Sequence, residues 1–346
     1  MISNNSFKNL GVIYCSGEMF INEKEDFYNG WGQGISINNV GEIVLNEGQL
    51  GGIYQSPVVN TEDFKDLICS WNGLAEDKSE IELFIQIKQK EKWSGWLTYG
   101  KWWSNGNEGS MKNQKDNLAL IDVDLVKVLG EGKGNGFRYK ISLKRQEEAI
   151  ASPKIRLIAI ALNLDNVTEQ TSIEYKDLER ELDLPQRSQM IVPEVGNVIC
   201  SPTSLSMLLE YYGHFEETEK VAKGVFDYGA EIYGNWSYNV AYAGTKGFKA
   251  YVARFKELSQ IKRMINKGIP LVASIKTKTA EELQGSPQGY PSGHLVVIRG
   301  FKIKNEIEYI IVNDPAALDN ESVRKEYISS QFLKAWNGVV YCVFPR

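Results

Sequence analysis

The stretch CSPTSLSMLLEYYG, residues 200–213, carries the clearest structural signal in this chain. Its apolar side chains recur at the spacing of one helix face: Leu205, Leu208, Leu209 and Tyr212. Pro202 stands in the first turn, where a missing N–H is tolerated, and Gly213 follows as a typical helix terminator. The stretch therefore predicts a helix that begins directly after Cys200.

The residues after this helix indicate an α+β domain. Further helices are predicted at 236–246 and 258–267, followed by strands at 270–275, 294–302, 309–313 and 339–344. Short antiparallel strands that follow helices favour a segregated α+β arrangement over a doubly wound sheet.

The residues before the helix have a different pattern. Apolar side chains at Ile81, Leu83, Ile85 and Ile87 alternate with mostly polar ones, which is the period of a half-buried strand. Glycine-rich turns separate several such runs. We therefore predict an N-terminal all-β sandwich, jelly-roll-like, over residues 1–165. A polar, acidic linker at 166–183 then leads to a second domain at 184–346.

Composition excludes several classes of function. The 39 Lys and Arg against 44 Asp and Glu give a net charge of −5, so no nucleic-acid partner is expected. The first residues lack a signal peptide and no run reaches about 18 apolar residues, so no membrane span is expected. This pattern suits a soluble protein of the cytoplasm, or one secreted by a route not visible here.

Histidine and cysteine are too scarce for several kinds of site. The 346 residues include two histidines and four scattered cysteines, so neither a metal centre nor a disulfide framework is predicted. No cofactor is expected either, because the glycine-rich run near residue 132 precedes a strand and not a helix.

Cys200 has the surroundings of a nucleophile. A thiol at a helix N-terminus lies at the positive end of the helix dipole, which favours the thiolate. The alternative is a small buried cysteine, a common fate of this residue type. A nucleophilic thiol also needs a base, so the position of Cys200 does not decide the matter by itself.

His294 and Asp314 are the candidates for base and orienting acid. His294 opens a strand after a loop rich in proline and glycine, and Asp314 ends the next strand. A short hairpin between those strands would place the carboxylate beside the imidazole. The alternatives are a histidine satisfied by a backbone carbonyl and an ordinary Asp-Pro turn.

Four motifs together resemble a known family. SQM at 188–190, CSPTSLSMLLEYYG at 200–213, GHLVVIRG at 293–300 and NDPA at 313–316 follow the order found in papain-like cysteine peptidases of family thirty-nine. Peptidases of this family cleave double-glycine bacteriocin leaders, and the chain is similar to the soluble branch of the family. The resemblance covers about the last 160 residues.

The resemblance implies roles for four residues. Cys200 would be the nucleophile, His294 the general base and acid, Asp314 the residue that orients the imidazole, and Gln189 the side-chain donor of the oxyanion hole. This sequence departs from the family in two ways. Ser201 stands where many relatives have glycine, and Gln189 lies 11 positions before Cys200, further than in papain-type enzymes. Gln186 is therefore a rival donor.

The implied function is that of a cysteine-type peptidase acting on a peptide or protein substrate. An amidase or transpeptidase acting on cell-wall peptides would use the same residues, so the fold does not separate these activities. A further alternative is an inactive peptidase-like protein that binds peptide or glycan through the N-terminal domain. That alternative depends on four tryptophans that could stack on sugar rings, or fill the core instead: Trp93, Trp96, Trp102 and Trp103.

Overall fold

A computed structural model describes residues 19–76, 78–103, 106–164, 175 and 177–346. These residues form two compact units. Unit 1 holds the described residues up to 164 together with Phe226–Gly247, and unit 2 holds those from 175 to Val225 together with Phe248–Arg346. The chain therefore leaves unit 2 after Val225 and returns to it at Phe248. The predicted domain ranges, 1–165 and 184–346, each follow the sequence without a break and place residues 226–247 in the second domain.

The described part of unit 1 consists of β-strands, one 3-10 helix (Lys24–Asn29) and one α-helix. Its strands are β1 (Met19–Glu23), β2 (Trp31–Gln33), β3 (Ile35–Ile37), β4 (Ile43–Leu45), β5 (Gly51–Gln55), β6 (Val59–Leu74), β7 (Ser79–Gln89), β8 (Lys92–Trp93), β9 (Leu97–Trp103), β10 (Gly106–Gly109), β11 (Ala119–Asp122), β12 (Leu125–Val128), β13 (Gly134–Arg145) and β14 (Lys154–Leu164).

Antiparallel hydrogen bonds connect the described strands of unit 1 into one network, in the main order β10-β9-β7-β13-β6-β14-β4-β3. On the side away from β7, β13 pairs with β6 near its start and with β5 near its end. The antiparallel β character expected of this region is therefore present, while the jelly-roll path stays a prediction.

The described part of unit 2 holds the remaining strands and the remaining α-helices apart from one. They are β15 (Arg180–Glu181), α1 (Cys200–Tyr211), α2 (Thr218–Val225), β16 (Phe248–Arg254), α4 (Leu258–Asn266), β17 (Leu271–Ile275), β18 (His294–Lys304), β19 (Ile307–Asn313), β20 (Arg324–Ile328), α5 (Ser329–Ala335) and β21 (Trp336–Pro345). The helix that belongs to unit 1 is α3 (Trp236–Thr245).

The sheet of unit 2 is antiparallel, in the order β16-β21-β17-β18-β19-β20, with β15 paired to β18. Helix α1 packs on β18, and its residues 201–209 are all buried. Sequence reasoning placed α1 and the strands near 271, 294, 309 and 339, but it missed α2, α5, β16 and β20. These missed elements are short or lack a clean period, so a single-sequence pattern carries little information about them.

Helix α3 completes the core of unit 1. The ring of Tyr238 lies 5.3 Å from Trp102 and 5.8 Å from Trp71 between ring centroids, and its hydroxyl donates to the carbonyl of Tyr99 at 2.8 Å. The hydroxyl of Ser237 donates to the carbonyl of Cys69 at 2.7 Å. The predicted helix at 236–246 is thus present, but its aromatic face packs in the β unit.

Asp227 anchors the start of the segment Phe226–Gly247, which belongs to unit 1. It is fully buried and accepts hydrogen bonds from the backbone and hydroxyl of Ser110, both at 2.8 Å, and from the Asn235 side chain at 2.8 Å. The two backbones approach so closely that a Cβ on Gly109 would meet the nitrogen of Gly229 at 1.9 Å. Only glycine fits at such a contact.

Among the described residues, no helix combines the length and apolar character required to cross a membrane.

Candidate active site

Cys200 is the first residue of α1 and is half-buried. The backbone of Thr203 donates to the carbonyl of Ile199 at 3.0 Å, and its hydroxyl donates to the same carbonyl at 2.7 Å. These bonds close the first helical turn around the cysteine. The backbones of Ser201 and Leu295 and the side chain of His294 act on its sulfur, and each favours the thiolate. The thiol therefore lies among groups that stabilise its charged form.

The neighbouring serine is turned away from this cluster. Ser201 is fully buried, and its hydroxyl lies 2.9 Å from that of Tyr341. The residue that departs from the glycine of many relatives thus bonds to a tyrosine of β21.

His294 begins β18, opposite Ile275 of β17. The turn before it ends with Gly293, whose φ of +96° is a conformation that favours glycine. The N–H of Gly293 donates to the carbonyl of Tyr290 at 3.0 Å. This tight turn stacks the ring of Tyr290 on the imidazole, with 4.0 Å between centroids and an angle of 11°.

Asp314 directly follows β19 and is fully buried. Its Oδ1 accepts from Nε2 of His294 at 2.8 Å and from the N–H of Ala316 at 3.0 Å. Its Oδ2 accepts from the hydroxyls of Tyr290 at 2.7 Å and Tyr327 at 2.6 Å. Because Nε2 of His294 faces Asp314, Nδ1 is the ring nitrogen left for Cys200.

The three groups shift one another's protonation. Burial alone would raise the pKa of Cys200, but the charge of His294 and the hydrogen bond from its ring bring that pKa below the ordinary value. Burial opposes the charged form of His294 too, yet Asp314 and Cys200 raise its pKa. The pKa of Asp314 is lowered despite burial, chiefly by His294. This arrangement favours a thiolate, an imidazolium and a carboxylate at neutral pH.

The described interactions connect three of the four residues singled out from sequence. His294 acts on the Cys200 sulfur and hydrogen-bonds Asp314. Gln189 is buried, with its side-chain nitrogen donating to the carbonyl of Gly196 at 2.7 Å, and its side-chain oxygen has no hydrogen-bond partner among the described residues. Gln186, the rival donor, is exposed.

Sequence reasoning missed Tyr290 and Tyr327. Tyr290 lies four residues before His294, so the loop GYPSGH at 289–294 held a weak signal. Tyr327 lies on β20, an element that the sequence did not reveal, opposite Ile310 of β19. Its contact with Asp314 depends entirely on that strand pairing.

The tryptophans of unit 1 differ in their surroundings: Trp102 lies in the core, whereas Trp93 and Trp96 lie against Arg138. Trp102 is fully buried in the core beside Trp71. The guanidinium of Arg138 lies 4.7 Å from the ring centroid of Trp93 and 5.3 Å from that of Trp96. Trp102 is therefore removed from any surface, and the rings of Trp93 and Trp96 contact a cation.

No group of three or more histidine, cysteine, aspartate or glutamate side chains that could hold a metal ion occurs within the described ranges.

Two family models match this chain. The model of the peptidase C39-like family matches residues 181–342, and that of the peptidase C39 N-terminal domain matches residues 32–163. No curated protein sequence gives a match. The two matches leave residues 164–180 between them.

Solved structures similar to part of the chain include the peptidase domain of Streptococcus ComA, a bifunctional ABC transporter involved in a quorum-sensing pathway. That domain is 16% identical, covers 45% of this chain and 97% of its own, and has a TM-score of 0.33. A Bacillus anthracis structure described as a C39-like peptidase is 18% identical over 49% of this chain and 99% of its own, with a TM-score of 0.36. Digestive procathepsin L 3 of Tenebrio molitor is 9% identical over 51% of this chain and 72% of its own, with a TM-score of 0.27.

Proposed function

Because residues 181–342 belong to the C39-like peptidase family, we propose that this protein is a papain-like cysteine peptidase that cleaves peptide bonds by acyl transfer. The observation that carries the proposal is that His294 hydrogen-bonds the buried carboxylate of Asp314 on one side and acts on the Cys200 sulfur on the other. A thiol, a base in contact with it and a buried acid that orients the base are the parts of a nucleophilic site.

The mechanism follows from the resting charges. The Cys200 thiolate attacks the peptide carbonyl, and the carbonyl electron pair moves to the oxygen. When the C–N bond breaks, the His294 imidazolium gives its proton to the leaving amine, which leaves a thioester on Cys200. His294 then takes a proton from water, and the resulting hydroxide attacks the thioester. The C–S bond breaks, the acid product leaves, and the Cys200 thiolate is regenerated. Asp314 keeps the imidazole in place and balances its charge throughout.

The pH dependence of thiol labelling tests the nucleophile and base directly. We expect iodoacetamide to label Cys200 with an apparent pKa below the value of about 8.5 of an ordinary thiol, as read by mass spectrometry of the Cys200 peptide. In His294→Ala the same pKa should rise, because burial then acts without the opposing charge. Cys69 and Cys342 are buried and serve as internal controls that should stay unlabelled in the native protein. Equal labelling of Cys200 in both proteins would contradict the proposal.

Gln189 is the proposed side-chain donor to the oxyanion, beside the backbone N–H of Cys200. Its second amide hydrogen is available, since one hydrogen bonds Gly196 and holds the side chain. We expect Gln189→Ala to lower kcat by about 100- to 1000-fold with a small change in KM. Gln186→Ala is the matched control and should keep its activity, because Gln186 is exposed. If Gln186→Ala lost activity and Gln189→Ala kept it, Gln186 and not Gln189 would be the oxyanion donor.

Products distinguish hydrolysis from the related acyl transfers. A peptidase leaves a free carboxyl terminus, whereas a transpeptidase joins the acyl group to an added amine. Mass spectrometry of a cleaved peptide, with and without added glycinamide, separates these two activities.

A further inference from the structure

The Asp314 carboxylate is held from both sides. It is fully buried, and each oxygen accepts two hydrogen bonds: His294 and Ala316 donate to Oδ1, and Tyr290 and Tyr327 donate to Oδ2. A carboxylate with donors on both oxygens cannot rotate without breaking several bonds. The two phenols therefore fix which oxygen faces the imidazole.

The phenols also offset the cost of burial. An isolated carboxylate in a protein interior takes up a proton unless donors stabilise its charge, and hydrogen bonds from neutral hydroxyls do so. Burial beside the carboxylate raises the pKa of both Tyr290 and Tyr327, so both hydroxyls keep the protons that they donate. Within the described residues, the titratable groups that face Asp314 are these two tyrosines and His294, with Cys200 across the imidazole.

We propose that Tyr290 and Tyr327 are positioning residues of the reaction, which keep Asp314 ionised and oriented so that His294 stays an imidazolium beside the Cys200 thiolate. This inference rests on the proposed function, since it assigns the two tyrosines to that site. Neither tyrosine hydrogen-bonds the thiol: Tyr327 acts through Asp314, and Tyr290 acts through Asp314 and through the imidazole on which it stacks.

The two residues differ in a way that a test can use. Tyr290 stacks on the imidazole as well as donating to Asp314, whereas Tyr327 contributes only its hydroxyl to the cluster. Tyr290→Phe removes a hydroxyl and keeps the stacked ring, while Tyr290→Leu removes both. Tyr327→Phe removes a hydroxyl alone.

The matched control is Tyr211→Phe. The Tyr211 hydroxyl donates to the uncharged carbonyl of Gly268 at 3.0 Å. Tyr211 ends the helix that Cys200 begins, about 16 Å away along the helix axis. This variant loses one phenolic hydrogen bond in the same unit, and that bond goes to an uncharged carbonyl and not to a carboxylate. The charges that act on the Tyr211 phenol are those of Arg180 and Asp183, which lie outside the Asp314 cluster.

Thermal unfolding of the full chain, measured at a series of pH values, tests whether the two phenols stabilise the charge of Asp314, and it needs no substrate. Because the folded pKa of Asp314 is depressed, the stability that the phenols contribute is present near neutral pH and is lost as the pH falls through that pKa. The gap in Tm between wild type and Tyr290→Phe or Tyr327→Phe should therefore narrow as the pH falls below about 5. The gap for Tyr211→Phe should stay constant.

Kinetics on one peptide cleaved by the wild type test the role in the reaction. Each Phe variant should move the acid limb of kcat/KM to higher pH by about one unit, which is about a tenfold lower rate on that limb, with KM unchanged. Tyr290→Leu should lower kcat at the optimum as well, because the imidazole loses its stacking partner.

Two results would overturn the inference. One is a Tm gap that does not change with pH, and the other is an acid limb that stays in place while the Tm gap narrows, since the tyrosines would then support the fold and not the reaction. Failure of the proposed function is a separate result: an ordinary pKa for Cys200 labelling and no cleavage that depends on Cys200.

Discussion

Replacing Cys200 with alanine should abolish peptide cleavage. Removal of the nucleophile from a serine or cysteine hydrolase lowers kcat by about a million-fold, which places the variant below detection. Cys200 is the residue on which His294 and the backbone donors of Ser201 and Leu295 converge, so no neighbouring group replaces it. The measurement is a peptide library incubated with each protein, with new termini read by mass spectrometry.

Cys69→Ala is the control for this loss. Cys69 is fully buried in β6 of unit 1, where burial raises the pKa of its thiol, so it should be inert and its removal should leave cleavage unchanged. Cleavage that persists in Cys200→Ala would contradict the assignment of the nucleophile. Absence of cleavage in the wild type, together with an ordinary pKa for Cys200, would favour the peptidase-like binding protein.

Replacing Tyr238 with alanine should destabilise unit 1 by about 4 kcal/mol. Loss of a large buried aromatic side chain leaves a cavity and typically costs about 3–5 kcal/mol. Here the ring packs between Trp71 and Trp102, and the carbonyl of Tyr99 loses its donor. Hydrogen exchange of the full chain, read by mass spectrometry, should show lower protection in peptides from β6 and β9.

Tyr28→Ala is the matched control in the same unit. Its ring is 67% exposed, so its loss should change the free energy of unfolding by no more than about 0.5 kcal/mol. If Tyr238→Ala left the exchange of β6 and β9 unchanged, α3 would not be part of the core of unit 1. For the same reason, a fragment that ends near residue 165 should be less stable than unit 1, because it lacks α3.

Local patterns determined the parts of this protein that depend on neighbours in sequence. The helical spacing and terminal glycine at 200–213 predicted α1, and the alternation near residue 81 predicted a strand of the β unit. The order of the motifs around Cys200, His294 and Asp314 indicated the family and three residues of the proposed site. Each of these signals lies within a stretch of a few residues, where propensity and period are informative.

Tertiary structure decided what depends on distant parts of the chain. The hydroxyls of Tyr290 and Tyr327 reach Asp314 only because β18, β19 and β20 pair in one register. The residues of α3 have the same helical pattern whether they pack in unit 1 or unit 2, so their sequence does not reveal that they fill the core around Trp71. Strand register and the choice of packing partner arise from contacts far apart in sequence, and a local pattern contains no record of them.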